Sequence, residues 1–155
     1  MSWVRGRDEI LGMLERAELT RVVADVGLAE RLIASAKRHL TSAEQLSDED
    51  PELAYAAIHD AVRKAMAAML QAQGLRPTTA GGHLTVQHAV RAQFGSSMGK
   101  LLRPVDRIRI TRHRVEYPDS ETWIDADAVL ADLPAAHELV NAADKAIGHL
   151  TVFVP

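Results

Sequence analysis

The 155-residue chain contains no cysteine, few aromatic residues and no long hydrophobic run. Without cysteine, the chain forms no disulfide, no thiolate metal site and no cysteine nucleophile. Aromatic residues make up only 4% of the sequence while alanine is abundant, which favours closely packed helices. The longest uncharged apolar stretch, around residues 65–75, is far shorter than the roughly 20 residues of a membrane helix. We therefore expect a soluble, cytoplasmic protein without a membrane partner.

The length of the chain and its periodic apolar residues predict one helical domain. A chain of this size can bury a substantial core without metals or disulfides, and 47% hydrophobic residues are sufficient to build one. We predict an all-α fold, an up-and-down bundle of four to five helices, as a single domain over residues 1–155. Residues 1–20 are predicted to form an N-terminal helical extension, and residues 151–155 an extended tail.

Apolar residues spaced alternately by three and four positions predict the individual helices. The clearest pattern runs from Val22 to Ala43, for a helix that begins near Thr20 or Asp25. Other helices are predicted at about 8–18, 84–94 and 98–117, and in a region that begins near Asp125. Pro134 lies inside that last region and is expected to kink or split it.

The central helix of the sequence, from about 51 to 73, carries two apolar stripes. Asp50 followed by Pro51 predicts its N-cap and first helical position. Small residues form one stripe and larger residues form its neighbour, which predicts a helix that is central or faces another subunit. The glycine-containing loop at 74–83 follows, and it lacks the lysine and the spacing of a phosphate-binding P-loop. We interpret it as a structural connector.

Six basic residues and only two acidic residues lie between Lys100 and Tyr117, although the whole chain has a net charge of −3. We call these basic side chains the basic strip. Such a strip can steer a phosphate or an acidic partner to one face of the molecule. Alternatively, the strip is neutralised within the chain by the acidic residues that follow it, Asp119, Glu121, Asp125, Asp127 and Asp132.

Arg112 interrupts an apolar stripe of the predicted basic helix, which also contains Leu101, Val105, Ile108 and Val115. A guanidinium at such a position must find an anionic partner or face an open cleft, because burying an unpaired charge is costly.

Two interpretations of Arg112 stay open at this level. Glu116 follows it by four residues and Arg109 precedes it by three, so all three share a helix face. The two arginines, held by Glu116 and supported by Arg107 and Arg114, could bind phosphate or RNA, because a guanidinium matches phosphate oxygens. The same atoms could instead form a buried ion-pair network that fixes helix packing.

The histidines give weaker candidates. None forms a His-Glu-x-x-His pair, and only His83 and His88 lie close together, so we predict no metal site and no cofactor. His59 with Asp60 and Arg63 could form an acid/base pair with an anion anchor. Its position on an apolar stripe is more typical of a packing histidine.

Three segments resemble the HEPN superfamily of small α-helical domains, over roughly residues 29–150. They are the helix from Tyr55 to Leu70, the turn 81–83, and the segment from Arg112 to Tyr117. HEPN ribonucleases carry an arginine, often followed by Asn, Asp or His, and then a histidine after four to six intervening residues. Arg112 and His113 match the arginine and its polar neighbour, and Tyr117 stands in place of the histidine.

The resemblance implies an RNA- or nucleotide-associated module, dimeric through a shared cleft, in a defence, toxin–antitoxin or stress context. Metal-independent RNA cleavage needs a base with a pKa near neutrality, whereas that of tyrosine is ordinarily about 10, so we predict weak or no ribonuclease activity. One alternative is an active ribonuclease in which Arg112 stabilises the phosphorane and His113 is the base. Arg107 and His113, separated by five residues, give another register. A further alternative is a protein-binding partner of a nucleotidyltransferase or antitoxin.

Overall fold

The computed structural model describes residues 5–81 and 84–155. These residues form six α-helices, a two-stranded antiparallel sheet and a short 3-10 helix, so the predicted all-α fold is confirmed. None of the described helices is long and apolar enough to cross a membrane. The elements are α1 Arg7–Glu15, β1 Leu19–Arg21, α2 Val26–Leu46, α3 Pro51–Ala72, β2 Leu75–Pro77, the 3-10 helix Thr79–Gly81, α4 Thr85–Phe94, α5 Gly99–Glu116 and α6 Ala126–Ile147.

Helix α3 is the centre of the molecule and packs against α2, α4, α5 and α6. Both of its apolar stripes are buried within one chain, since Tyr55, Ile58 and Met69 have no exposed surface. The small-residue stripe is buried as well, and its alanines let neighbouring helices approach closely. The central position predicted for this helix is therefore confirmed, and neither stripe is left for another subunit.

Helices α2 and α6 bury the residues that their periodicity predicts. The buried residues of α2 are Ala29, Ile33, Ala36, Leu40 and Ala43. Those of α6 include Val129, Leu133, Ala136, Val140, Ala143 and Ile147. Pro134 does not split α6, which runs without interruption. Its ring removes one hydrogen bond, to the carbonyl of the residue four positions earlier, which lies on the exposed side of the helix.

Aspartate side chains cap the first turns of the three long helices. Asp25 accepts a hydrogen bond from the backbone N–H of Leu28 at 2.9 Å, and Asp50 and Asp125 make equivalent bonds at 3.1 and 2.9 Å. The predicted starts at Asp25, Asp50 and Asp125 are confirmed. The alternative start at Thr20 is wrong, because that residue lies in β1.

Residues 1–4 of the predicted helical extension over residues 1–20 lie outside the described residues, and residues 5–20 are only partly helical. Helix α1 ends at Glu15, and Ala17 has a positive φ of 57° that stops the helix. Strand β1 then pairs with β2, which lies in the loop predicted as a plain connector. Gly74 permits this turn, because its φ is 74° and a Cβ there would lie 2.8 Å from the carbonyl oxygen of Val22. Strands of three residues are too short to give a recognisable alternation.

Residues 151–155 have no regular secondary structure, and Phe153 belongs to the core. Its backbone N–H donates to the carbonyl of Gln73 at 2.9 Å, and Arg21 donates to its carbonyl at 3.3 Å. Val152 and Val154 on either side are exposed. The C-terminal segment is thereby attached to the end of α3 and to β1.

Candidate nucleic-acid interface

The basic strip lies on the outer half of α5. The inner half packs Leu102, Val105 and Ile108 into the core. Leu101, which the predicted apolar stripe included, is only partly buried, and its neighbour Leu102 is buried instead. Arg112 lies at the edge of this face.

Arg112 forms the predicted ion pair with Glu116, one turn along the helix. Its Nη1 donates to a carboxylate oxygen of Glu116 at 3.1 Å. The side chains are 27% and 48% exposed, so this is a surface pair rather than part of a buried network. Pairs of this kind contribute only about 0.3–0.5 kcal/mol. The interpretation of Arg112 as a buried packing element is therefore wrong.

Among the described residues, the buried charged residue is Asp132 on α6. The residue is 9% exposed, and its carboxylate accepts hydrogen bonds from the Tyr55 hydroxyl at 2.6 Å and from Arg107 Nε at 3.1 Å. Burial and the hydrogen bond to Asp132 raise the pKa of Tyr55 well above its usual range. The three side chains join α3, α5 and α6 and hold Arg107 in place. The sequence signal was an aspartate beside Val129 and Leu133 on the apolar face of α6.

Arg109 pairs with Asp106, three residues earlier on α5, rather than forming a clamp with Arg112. Its guanidinium lies 3.7 Å from Asp106, which also accepts hydrogen bonds from Gln87 at 2.6 Å and from Arg91 at 2.9 Å. The bond from Gln87 and the charge-assisted bond from Arg91 lower the pKa of Asp106. Arg109 Nε is buried without a hydrogen-bond partner among the described residues. This cluster attaches α5 to α4 and takes Arg109 away from the predicted pair.

The C-terminal turn of α5 presents exposed groups with few partners. The rings of His113 and Tyr117 lie 5.1 Å apart between centroids, tilted by 49°. Arg114 is exposed, and within residues 5–81 and 84–155 it forms no hydrogen bond or ion pair. Of the five acidic residues that follow the strip, only Asp132 pairs with one of its arginines, so neutralisation within the chain is incomplete.

A cleft of about 350 Å³ lies between the end of α5 and the segment 119–124. Thr111, Arg114 and Val115 line it from α5, and Asp119, Glu121, Thr122, Trp123 and Ile124 line it from the segment. No pattern in the sequence indicated this cleft. Trp123 lies between two helices in a stretch without periodicity, and its exposure of 84% was not predictable from neighbouring residues.

Asp119 organises the loop that forms one wall of this cleft. Its carboxylate accepts hydrogen bonds from the Thr122 hydroxyl at 2.9 Å and from the backbone N–H of Glu121 at 3.0 Å. The bond from Thr122, together with the backbone bond, lowers the pKa of Asp119, and the charge of Arg114 acts in the same direction. The Asp119 carboxylate thus connects the backbone of Glu121 and the hydroxyl of Thr122 within the turn.

The other sequence candidates lie away from this end of α5. Asp60 pairs with Arg63 at 2.6 Å and with Lys64 at 3.0 Å, and it lies 3.1 Å from His39 of α2. Burial by itself would raise the pKa of Asp60, but hydrogen bonds from Arg63 and Lys64 outweigh burial and lower this pKa. These contacts connect α2 and α3, and His59 beside them is half-buried.

Metal binding has no geometric support in the part of the chain that the structure describes. No group of three or more His, Asp or Glu side chains there could hold an ion. His83, part of the candidate pair with His88 and of the turn at 81–83, lies outside the described residues.

The family model of the HEPN domain matches residues 29–149. The match covers more than half of the chain, and the chain belongs to the HEPN family. The resemblance inferred over residues 29–150 is therefore confirmed. No curated protein and no solved structure matches the chain. The individual roles of Arg112, His113 and Tyr117 stay predictions.

The anchor at Asp132 can be tested by stability. Tyr55→Phe removes one hydrogen bond to a buried carboxylate, so the free energy of unfolding should fall by about 1–3 kcal/mol. Tyr117→Phe is the matched control, because Tyr117 is 68% exposed and its variant should change by less than about 0.5 kcal/mol. Urea denaturation measures both values. Equal stability of the two variants would show that Asp132 needs no partner from α3.

Proposed function

We propose that this HEPN domain is an RNA- or nucleotide-associated module whose α5 binds phosphate groups. One observation carries the proposal: Arg112 uses one of its five N–H donors on a half-exposed carboxylate, and Arg114 uses none within the described residues. Both guanidinium groups can donate hydrogen bonds to a phosphate without breaking a buried contact. Arg107 and Arg109 add positive charge but are held by Asp132 and Asp106.

The proposal extends to assembly and biological context. HEPN membership supports a homodimer whose shared cleft lies at α5, and the resemblance implies a defence, toxin–antitoxin or stress setting. Within one chain, Ile110 is 43% exposed and Tyr117 is 68% exposed, seven residues apart on the same face of α5. We propose that the dimer contact includes these two side chains.

Efficient RNA cleavage is not part of the proposal. Cleavage through the 2′-hydroxyl needs a general base, and Tyr117 stands at the position where HEPN ribonucleases carry a histidine. His113 lies one turn earlier, against the ring of Tyr117. We therefore assign α5 a binding role.

Arg112→Ala tests the phosphate-binding role. The variant should keep its free energy of unfolding within about 0.5 kcal/mol, because it loses only a surface pair. Its affinity for single-stranded RNA should fall about tenfold, since a charge-assisted contact to phosphate is lost. Fluorescence anisotropy with labelled RNA, at two salt concentrations, measures the affinity.

Arg38→Ala is the matched control for this experiment. Arg38 is exposed on α2, so its removal changes the net charge equally without touching α5. Equal loss in both variants would show that only bulk charge matters. No RNA binding by the unmodified chain would contradict the proposal and favour the alternative in which the strip docks on an acidic nucleotidyltransferase or antitoxin.

The proposed dimer can be tested through Ile110. At tens of micromolar, on the order of common assay concentrations, sedimentation should give twice the monomer mass, and Ile110→Glu should give the monomer. Leu53→Glu is the control, because Leu53 is equally apolar and 54% exposed but lies on α3. A monomer for the unmodified chain, or a dimer that survives Ile110→Glu, would contradict this arrangement.

Tyr117→His tests why cleavage should be weak. The unmodified chain should cut single-stranded RNA slowly or not at all, whereas the variant places a base with a pKa near 6.5 at the family position. We expect EDTA-resistant cleavage from the variant, measured on labelled RNA. Rapid cleavage by the unmodified chain that His113→Ala abolishes would instead identify His113 as the base and reject a role limited to binding.

A further inference from the structure

The cleft beside α5 brings together three groups that a nucleotide can contact. Arg114 supplies a guanidinium, Trp123 an aromatic face and Glu121 a carboxylate. The volume of about 350 Å³ lies within the usual range for small-molecule sites. The Trp123 ring is exposed, and the side chains of Arg114 and Glu121 form no hydrogen bond or ion pair with the described residues.

Trp123 exposes 84% of its surface, although the aromatic residues of this chain are few. Exposed aromatic faces are platforms on which single-stranded nucleic acids stack their bases. Among the described residues that line this cleft, the one positive charge is that of Arg114, beside the carboxylates of Asp119 and Glu121. The hydrogen bonds from Thr122 and Glu121 to Asp119 organise the turn that precedes Trp123.

Arg114 and Glu121 add opposite charges at the same cleft. Arg114 carries no hydrogen bond or ion pair within the described residues and can accept a phosphate. The Glu121 side chain also has no hydrogen bond or ion pair in that part of the chain, and it accepts hydrogen bonds only. Such a carboxylate favours a base edge that offers N–H donors. Guanine offers two adjacent donors, whereas uracil places its single donor between two carbonyl oxygens that a carboxylate repels.

We infer that this cleft binds one nucleotide of single-stranded RNA, with guanine preferred: the base stacks on Trp123, its N–H edge donates to Glu121, and the adjacent phosphate contacts Arg114. The inference rests on the proposed function and deepens it, because it names the subsite and the preferred base. The helix supplies the phosphate contact, and the loop supplies the selectivity.

Trp123 is itself the reporter for the test. The chain has two tryptophans, Trp3 and Trp123, so Trp3→Phe leaves a single indole whose emission reports on the cleft. Guanosine monophosphate should quench this emission with saturation, and uridine monophosphate should require a concentration at least roughly tenfold higher. In the same background, Glu121→Gln should remove most of the difference between the two nucleotides, and Arg114→Ala should weaken the monophosphate more than guanosine.

Lys100→Ala is the matched control, because Lys100 lies at the opposite end of α5 and should leave the titration unchanged. Trp123→Ala in the full chain should weaken guanine-containing RNA about tenfold, since one stacked base is lost. An absence of saturable quenching with every nucleotide at millimolar concentrations would overturn the inference. Saturable binding of an arginine-containing peptide instead would also overturn it, and would show that the carboxylates select a cation.

The two proposals fail in distinguishable ways. RNA binding that depends on Arg112 but is unchanged by Trp123→Ala would leave the basic strip intact and reject the nucleotide subsite. Saturable, guanine-selective quenching by mononucleotides, without binding of RNA chains, would support the subsite and reject the RNA-binding strip.

Discussion

The close packing of helices around α3 is the constraint on which the rest of the structure depends. Its alanine stripe permits neighbouring helices to approach closely, and its larger residues fill the space between the helices. Because α3 is buried on several sides, almost any displacement of it would open a cavity, and cavities are costly in a close-packed interior. The outer helices are therefore positioned by a rigid centre, and α5 is one of them.

Asp132 connects the central helix α3 to the basic strip on α5. Its carboxylate binds Tyr55 of α3 and Arg107 of α5, so the rotation of α5 about its own axis is fixed from within. The cluster around Asp106 fixes the other side of α5 against α4. Arg112 and Arg114 belong to neither of these two clusters. The ion pairs that stabilise the helix thus also decide which cations are free to bind a ligand.

The same division explains why six basic residues do not act as one surface. Arg107 and Arg109 are engaged by carboxylates, and moving them would leave Asp132 or Asp106 with fewer partners. Leaving the buried Asp132 unpaired is expensive, whereas the carboxylates of Asp106 and Glu116 are about half-exposed, and breaking the surface pair of Arg112 costs little. We therefore propose phosphate binding by Arg112 and Arg114, and guanine selection in the neighbouring cleft at Trp123.

Local patterns in the sequence were sufficient for much of the fold. The periodicity of α2, α3 and α6, and the aspartates that cap them, predicted the central helices and their buried faces, because such signals act over a few residues. The Arg112–Glu116 pair, one helical turn apart, was predictable for the same reason. The resemblance to the HEPN family rested on equally local motifs.

Tertiary structure decided the features that depend on residues distant in sequence. Tyr55 and Asp132 are 77 positions apart, and Arg107 and Asp132 are 25 apart, so no pattern showed that Asp132, rather than Arg112, is the buried charge. The pairing of β1 with β2 and the burial of Phe153 likewise required the assembled molecule. The cleft at Trp123 exists only because a short aperiodic loop folds back against α5. Sequence determined which charges the chain carries, and packing determined which of them face a ligand, because only packing brings the partner of each charge within hydrogen-bond distance.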